Sequence, residues 1–85
     1  MKWKVNDVAT GLLIKQKCIE TGHTPKELSE LFGVSITVPY LWFTGRSMPK
    51  LDNLVCLSKL FNCAIEELLV IEEDSTEQGV NADAD

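Results

Sequence analysis

Residues 24–49 read TPKELSELFGVSITVPYLWFTGRSMP, and this stretch decides the fold. Thr24 can cap a helix with its hydroxyl, Pro25 suits a first helical position where no N–H is needed, and Glu27 sits at capping-box spacing. Leu28, Leu31 and Phe32 then recur at helical intervals, and Gly33 permits the positive φ that ends a helix and turns the chain. The pattern predicts a helix over residues 25–32. Ser35 is the next good cap, Val38 and Trp42 lie four apart on one face, and Gly45 followed by Pro49 closes a second helix over 36–44. Two short helices joined by a tight turn are therefore expected at the centre of the chain.

Working outward, Asn6 can cap a first helix over 7–21, with Val8, Leu12, Ile14, Cys18 and Ile19 as its apolar positions and Thr21-Gly22-His23 as its exit. After Pro49, Leu51, Leu54, Val55, Leu57, Ser58 and Leu60 describe an amphipathic fourth helix over 51–61, with Asp52 in its first turn and a stop near Asn62. A short fifth helix is expected over 64–70 with Ile65, Leu68 and Leu69 inward. Only the segment from Lys2 to Val5 approaches strand-like alternation, so the expected fold class is all-α: one compact five-helix domain over residues 1–71.

With 85 residues the chain supports one modest core and leaves no room for an enzyme cleft of ordinary size. No apolar run approaches the ~18 to 20 residues of a membrane span, and Met-Lys-Trp-Lys does not open a secretory signal, so a cytoplasmic location without membrane contact is expected. Cys18, Cys56 and Cys63 do not fall at zinc-site spacing and read as buried, reduced core thiols, with Cys18 and Cys56 on apolar helix faces. His23 has no metal-ligating neighbour in sequence and reads as a turn histidine. Trp42 reads as core by its helical phase. Trp3, between Lys2 and Lys4, could pack on the fifth helix, join a dimer contact or lie near phosphate, with packing preferred. No nucleophile with a base, carboxylate pair, phosphate-binding glycine loop or metal cluster is evident; an enzyme, a cofactor and a metal are not expected.

At this point the chain resembles the phage-repressor and Cro-like helix-turn-helix family, often called the XRE family, over roughly Asn6 to Val70. The resemblance is carried by Ile14, Gly22, Thr24, Leu28, Gly33-Val34-Ser35, Trp42, Gly45, Pro49, Leu51-Asp52-Asn53-Leu54 and Ile65-Glu66-Glu67-Leu68-Leu69. It implies a lambda-repressor-like fold and a DNA-binding transcriptional regulator, most simply a small repressor of bacterial or mobile-element type. In that family the third helix enters the major groove of double-stranded DNA. By alignment the base-facing candidates are Ile36, Thr37, Tyr40, Leu41 and Thr44, a set poor in bidentate hydrogen-bonding groups. Thr24, Lys26, Ser35, Arg46 and Lys50 are the candidates for phosphate contact. Relatives commonly bind palindromes as dimers, so a homodimer through the fifth helix or the N-terminal segment is a plausible reading.

Three departures from the family pattern stand out. Pro25 replaces a phosphate-contacting Gln found in many relatives. Pro39 occupies a usual Ile or Val position in the third helix, so either that helix begins nearer Val38 or its start is irregular. Many relatives also place Arg at Cys18 and Glu at Phe43 as a partly buried ion pair; here both charges are gone, and the two side chains are expected to pack together.

Net charge argues against DNA at first sight, since the chain totals −5. The acidity is not evenly spread. From Leu12 to Val70 six basic residues balance six acidic ones, whereas Glu72, Glu73, Asp74, Glu77, Asp83 and Asp85 lie in a polar stretch, 72–85, that reads as a disordered tail. The neutral core, the two prolines and Leu41 also suit a second class: a helix-turn-helix-fold interaction module, antirepressor or antitoxin-like, with a protein partner and weak or no DNA binding.

Overall fold

The computed structural model describes residues 2–73. Strand β1 (Trp3–Val5) leads into helix α1 (Asp7–Thr21), followed by α2 (Pro25–Phe32), α3 (Thr37–Thr44) and α4 (Leu51–Phe61); one 3₁₀ turn (Ile65–Leu68) and strand β2 (Ile71–Glu73) complete it. The expected all-α, five-helix architecture is corrected to four α-helices and a two-stranded antiparallel sheet.

The helix ends follow the local chemistry. Asn6 Oδ1 accepts from Ala9 N–H at 2.9 Å, and Thr24 Oγ1 accepts from Glu27 N–H at 3.1 Å. The reciprocal half of the Thr24–Glu27 capping box is replaced, because the Glu27 carboxylate lies 3.1 Å from His23 Nδ1. Asn62 ends α4 in the left-handed region at φ 56°, a conformation Asn tolerates better than most residues.

The predicted fifth helix over 64–70 fails for a reason outside its own sequence. After a single 3₁₀ turn Leu69 is extended, Val70 N–H donates to Thr10 Oγ1 at 2.9 Å, and Val70 C=O accepts from Asn6 N–H at 2.8 Å. Ile71–Glu73 then pair with β1 in the register Val5↔Ile71, Lys4↔Glu72 and Trp3↔Glu73. The expected acidic tail thus begins inside a strand. Glu72 Oε1 accepts from Asn6 Nδ2 at 2.9 Å and Glu72 Oε2 lies 4.0 Å from Lys4 Nζ. The remainder of the tail, 74–85, lies outside the described residues.

Asn6 therefore both caps α1 and ties it to β2. Replacing Asn6 with Ala is expected to cost about 2 kcal/mol, since a cap is worth ~1 kcal/mol and a hydrogen bond to a charged group adds a comparable amount. Comparison of urea midpoints for the two proteins measures this; an unchanged midpoint would contradict it.

The core joins all four helices and the 3₁₀ turn: Ile14, Cys18, Leu28, Trp42, Phe43, Leu57, Phe61 and Leu68 form one buried cluster, with Phe32, Val38, Leu60 and Cys63 packed against it. The Phe32 and Trp42 rings meet at 5.7 Å. Several expected core positions are instead exposed: Val8, Leu12 and Ile19 on α1, Leu31 on α2, and Leu51, Val55 and Cys56 on α4, so that of the three thiols only Cys18 is fully buried. Helix α1 is apolar on two sides, and the side that packs is Thr10, Gly11, Ile14 and Cys18. Trp3 does not pack on a fifth helix; it is 62% exposed on the sheet.

Gly11 explains the choice of side. A Cβ there would overlap the Trp42 carbonyl oxygen and lie 3.0 Å from Gly45 N, and a Cβ on Gly45 would lie 2.7 Å from Val8 Cα. The backbones of α1 and of the end of α3 touch through this pair of glycines.

Candidate nucleic-acid interface

Helices α2 and α3, joined by residues 33–36, form the helix-turn-helix unit. Its second helix starts one residue later than expected, at Thr37, with Ile36 as a helical cap residue. Ser35 still serves the helix start: its Oγ accepts from Thr37 N–H at 3.2 Å, and its carbonyl accepts from Val38 N–H at 3.0 Å. That second bond removes the difficulty posed by Pro39, the third residue of the helix. The Ser35 carbonyl that an N–H at position 39 would seek is already satisfied, and the proline ring lies buried under the first turn.

The base-facing candidates share one side of α3. Thr37, Tyr40 and Thr44 follow at three- and four-residue spacing, with Ile36 just before them, and all four are exposed; Leu41 is half-buried. Their chemistry is sparse. Thr44 Oγ1 turns back to the carbonyls of Tyr40 and Leu41, each at 3.2 Å, and the Tyr40 ring sits edge-on to Phe43 at 6.2 Å. Thr37 and the Tyr40 hydroxyl remain as single-bond donors or acceptors, and Ile36 as an apolar contact.

Thr24 and Ser35, candidates for phosphate contact, have their side-chain oxygens committed to capping. Lys26, Arg46 and Lys50 are exposed and, among the described residues, held in no ion pair. Lys26 lies in the first turn of α2, while Arg46 and Lys50 lie in the loop between α3 and α4.

Cys18 and Phe43, expected to pack together, belong to the same buried cluster and line the same cavity between α1 and α3. Burial pushes the Cys18 thiol up to about 11, so it is neutral at physiological pH. That cavity is the feature missed by sequence reasoning. Its α1 wall consists of Val8, Leu12 and Ile19, which the helical period could not tell from core residues; mid-helix Gly11 was the available sign that α1 packs on its other side.

No helix among the described residues is long and apolar enough to cross a membrane, and among those residues no three His, Cys, Asp or Glu side chains gather as metal ligands. The fold and the exposed third helix define a small, predominantly helical domain of helix-turn-helix type. The chain is similar to the HTH-type transcriptional activator BcrR of Enterococcus faecalis, 40% identical over 50 residues that cover 59% of this chain and 24% of that protein. The matched part thus spans about a quarter of the relative's length. This places the chain's likeness with helix-turn-helix transcription regulators, without reaching the narrower phage-repressor and Cro-like assignment. No family model matches the chain. No solved structure matches it either.

Proposed function

We propose that this chain is a sequence-reading DNA-binding transcription regulator that lays α3 in the major groove, with Ile36, Thr37, Tyr40, Leu41 and Thr44 toward the bases. The observation that carries the reading is the exposed α3 at the end of a helix-turn-helix, flanked by Lys26, Arg46 and Lys50, which are held in no ion pair among the described residues. The likeness to a named transcriptional activator supports the same class. Repression is the proposed mode, because it needs no more than occupancy of a promoter.

The chain binds as a homodimer in this proposal. Trp3, Val5 and Ile71 share one face of the two-stranded sheet and are 62%, 37% and 52% exposed, an apolar face that a two-fold partner would cover. A two-stranded sheet alone is marginal in water, which adds to the case for a covering surface.

The test is a fluorescence-anisotropy titration onto DNA from upstream of its own gene, beside a random duplex, at low and physiological salt. The expected result is a gap between the duplexes and a log–log salt slope of about 0.9 per phosphate contact. Lys26→Gln, Arg46→Gln and Lys50→Gln are each expected to weaken both duplexes alike and lower the slope by about 1. Truncation after Glu73 keeps β2 whole; absence of binding by both the full chain and this shorter form would favour the interaction module.

A further inference from the structure

Helix α1 carries an apolar stripe that the fold leaves uncovered. Val8, Leu12 and Ile19 are 59%, 52% and 68% exposed, and they face Tyr40 and Phe43 of α3 across a cavity of about 420 Å³ floored by Cys18. The stripe runs about 16 Å along α1. A concave, mostly apolar space of this volume falls in the range of small-molecule sites.

The polar groups at the groove narrow the choice of occupant. Thr44 donates its hydroxyl to its own helix, and His23 faces the Glu27 carboxylate at 3.1 Å. That leaves the Lys15 ammonium, in no ion pair among the described residues, and the Tyr40 phenol. One cation and one hydroxyl donor in an apolar groove match a single anionic head on an apolar body. A second copy of the chain is a poor occupant. Lys15 lies within the stripe itself, so a two-fold axis through its middle would bring two ammonium groups together against an apolar surface.

We propose that the groove between α1 and α3 is a binding site for a small apolar carboxylate, with Lys15 as counter-ion to the head and Val8, Leu12, Ile19 and Phe43 enclosing the body. Tyr40 and Thr44 belong both to this groove and to the base-facing set. A ligand here therefore competes with DNA, a consequence that rests on the DNA-binding reading, whereas the site itself does not.

The test is an NMR titration of the isotope-labelled full chain with decanoate below its micelle concentration, with 1-decanol as uncharged control. Saturable shifts are expected at the amides of Val8, Leu12, Lys15, Ile19, Tyr40 and Thr44. Affinity is expected to be about tenfold lower for decanol, and for decanoate on Lys15→Gln, whose exposed position spares the fold. No saturable shift, equal binding of decanol and decanoate, or shifts centred on Trp3 and Ile71 would overturn the site. Binding of an acidic amphipathic peptide to the same amides, without a decanoate response, would overturn it in favour of a protein partner. These arms use free protein, so a failure to bind DNA leaves them decisive. If the chain does bind a duplex, saturating decanoate is expected to weaken that binding at least about tenfold; an unchanged duplex affinity would overturn the shared surface.

Discussion

Gly11→Ala is expected to remove most of the stability of this domain. Alanine in a helix interior normally gains ~1 kcal/mol over glycine, so the expected sign is the reverse of the rule for an exposed helix. Here the added Cβ would overlap the Trp42 carbonyl oxygen, with Phe43 O and Gly45 N also within 3.0 Å, and all three are backbone atoms that cannot swing aside. Separating α1 from α3 would open the core around Ile14, Cys18, Trp42 and Phe43. Overpacking typically costs ~1–3 kcal/mol, and a rigid backbone clash lies at or above the upper end. A domain of this size holds on the order of 5 kcal/mol in total. With a urea m-value of ~1 kcal/mol/M, the midpoint is expected to fall by roughly 3 M, or the variant to be unfolded in water. Gly22→Ala provides the comparison: Gly22 has φ 78° and open space around it, so the loss there is limited to backbone strain of about 1 kcal/mol. A Gly11→Ala protein as stable as the parent would show that the two helices can move apart freely.

The second large effect concerns Cys18 and Phe43, the core positions where the resemblance to phage-repressor-like proteins implies an Arg–Glu ion pair. Cys18→Arg alone is expected to cost roughly 3–5 kcal/mol, because it sets a charge among Ile14, Leu28 and Phe43 with no counter-charge. Phe43→Glu alone loses an aromatic core residue and buries a carboxylate, with a similar cost. Together the two make an oppositely charged pair, and the double variant is expected to be more stable than the sum of the singles by about 2 kcal/mol. A double-mutant cycle from urea denaturation measures this coupling, and strict additivity would mean that the two side chains do not meet. In the parent protein a neutral thiol and a phenyl ring occupy the same place without any desolvated charge. The exchange also makes the floor of the α1–α3 groove apolar, which connects a change in the core to the chemistry of the surface above it.

The legible part of this fold was the part governed by neighbours in sequence. Asn6 and Thr24 announced two helix starts, Pro25 the first position of α2, and Asn62 the end of α4, because caps and turns are settled within four or five residues. Trp42 was recognisable as core by phase. Residues 64–70 misled for the opposite reason. Ile65, Leu68 and Leu69 have helical spacing, but Val70 is held by Thr10 and Asn6, some sixty residues earlier, and no local pattern carries that information. The same limit hid the groove. Val8, Leu12 and Ile19 have the period of a buried face, and which apolar side of α1 is covered depends on where Gly11 lets α3 approach. In α3, Pro39 pointed either to a start nearer Val38 or to an irregular one, and the structure has the helix beginning at Thr37, with Pro39 in its first turn and Ser35 bonding on both its side chain and its carbonyl.

The strand pair places Trp3 directly opposite Glu73, so the two ends of the described part of the chain lie at one spot. A domain entered and left at one point can be spliced into a loop of another protein without stretching its host. The two ends can also be bridged by a few glycines and new ones opened in the 45–50 loop. Such a rearranged chain would keep the glycine contact between α1 and α3 while exchanging the order in which its helices leave the ribosome.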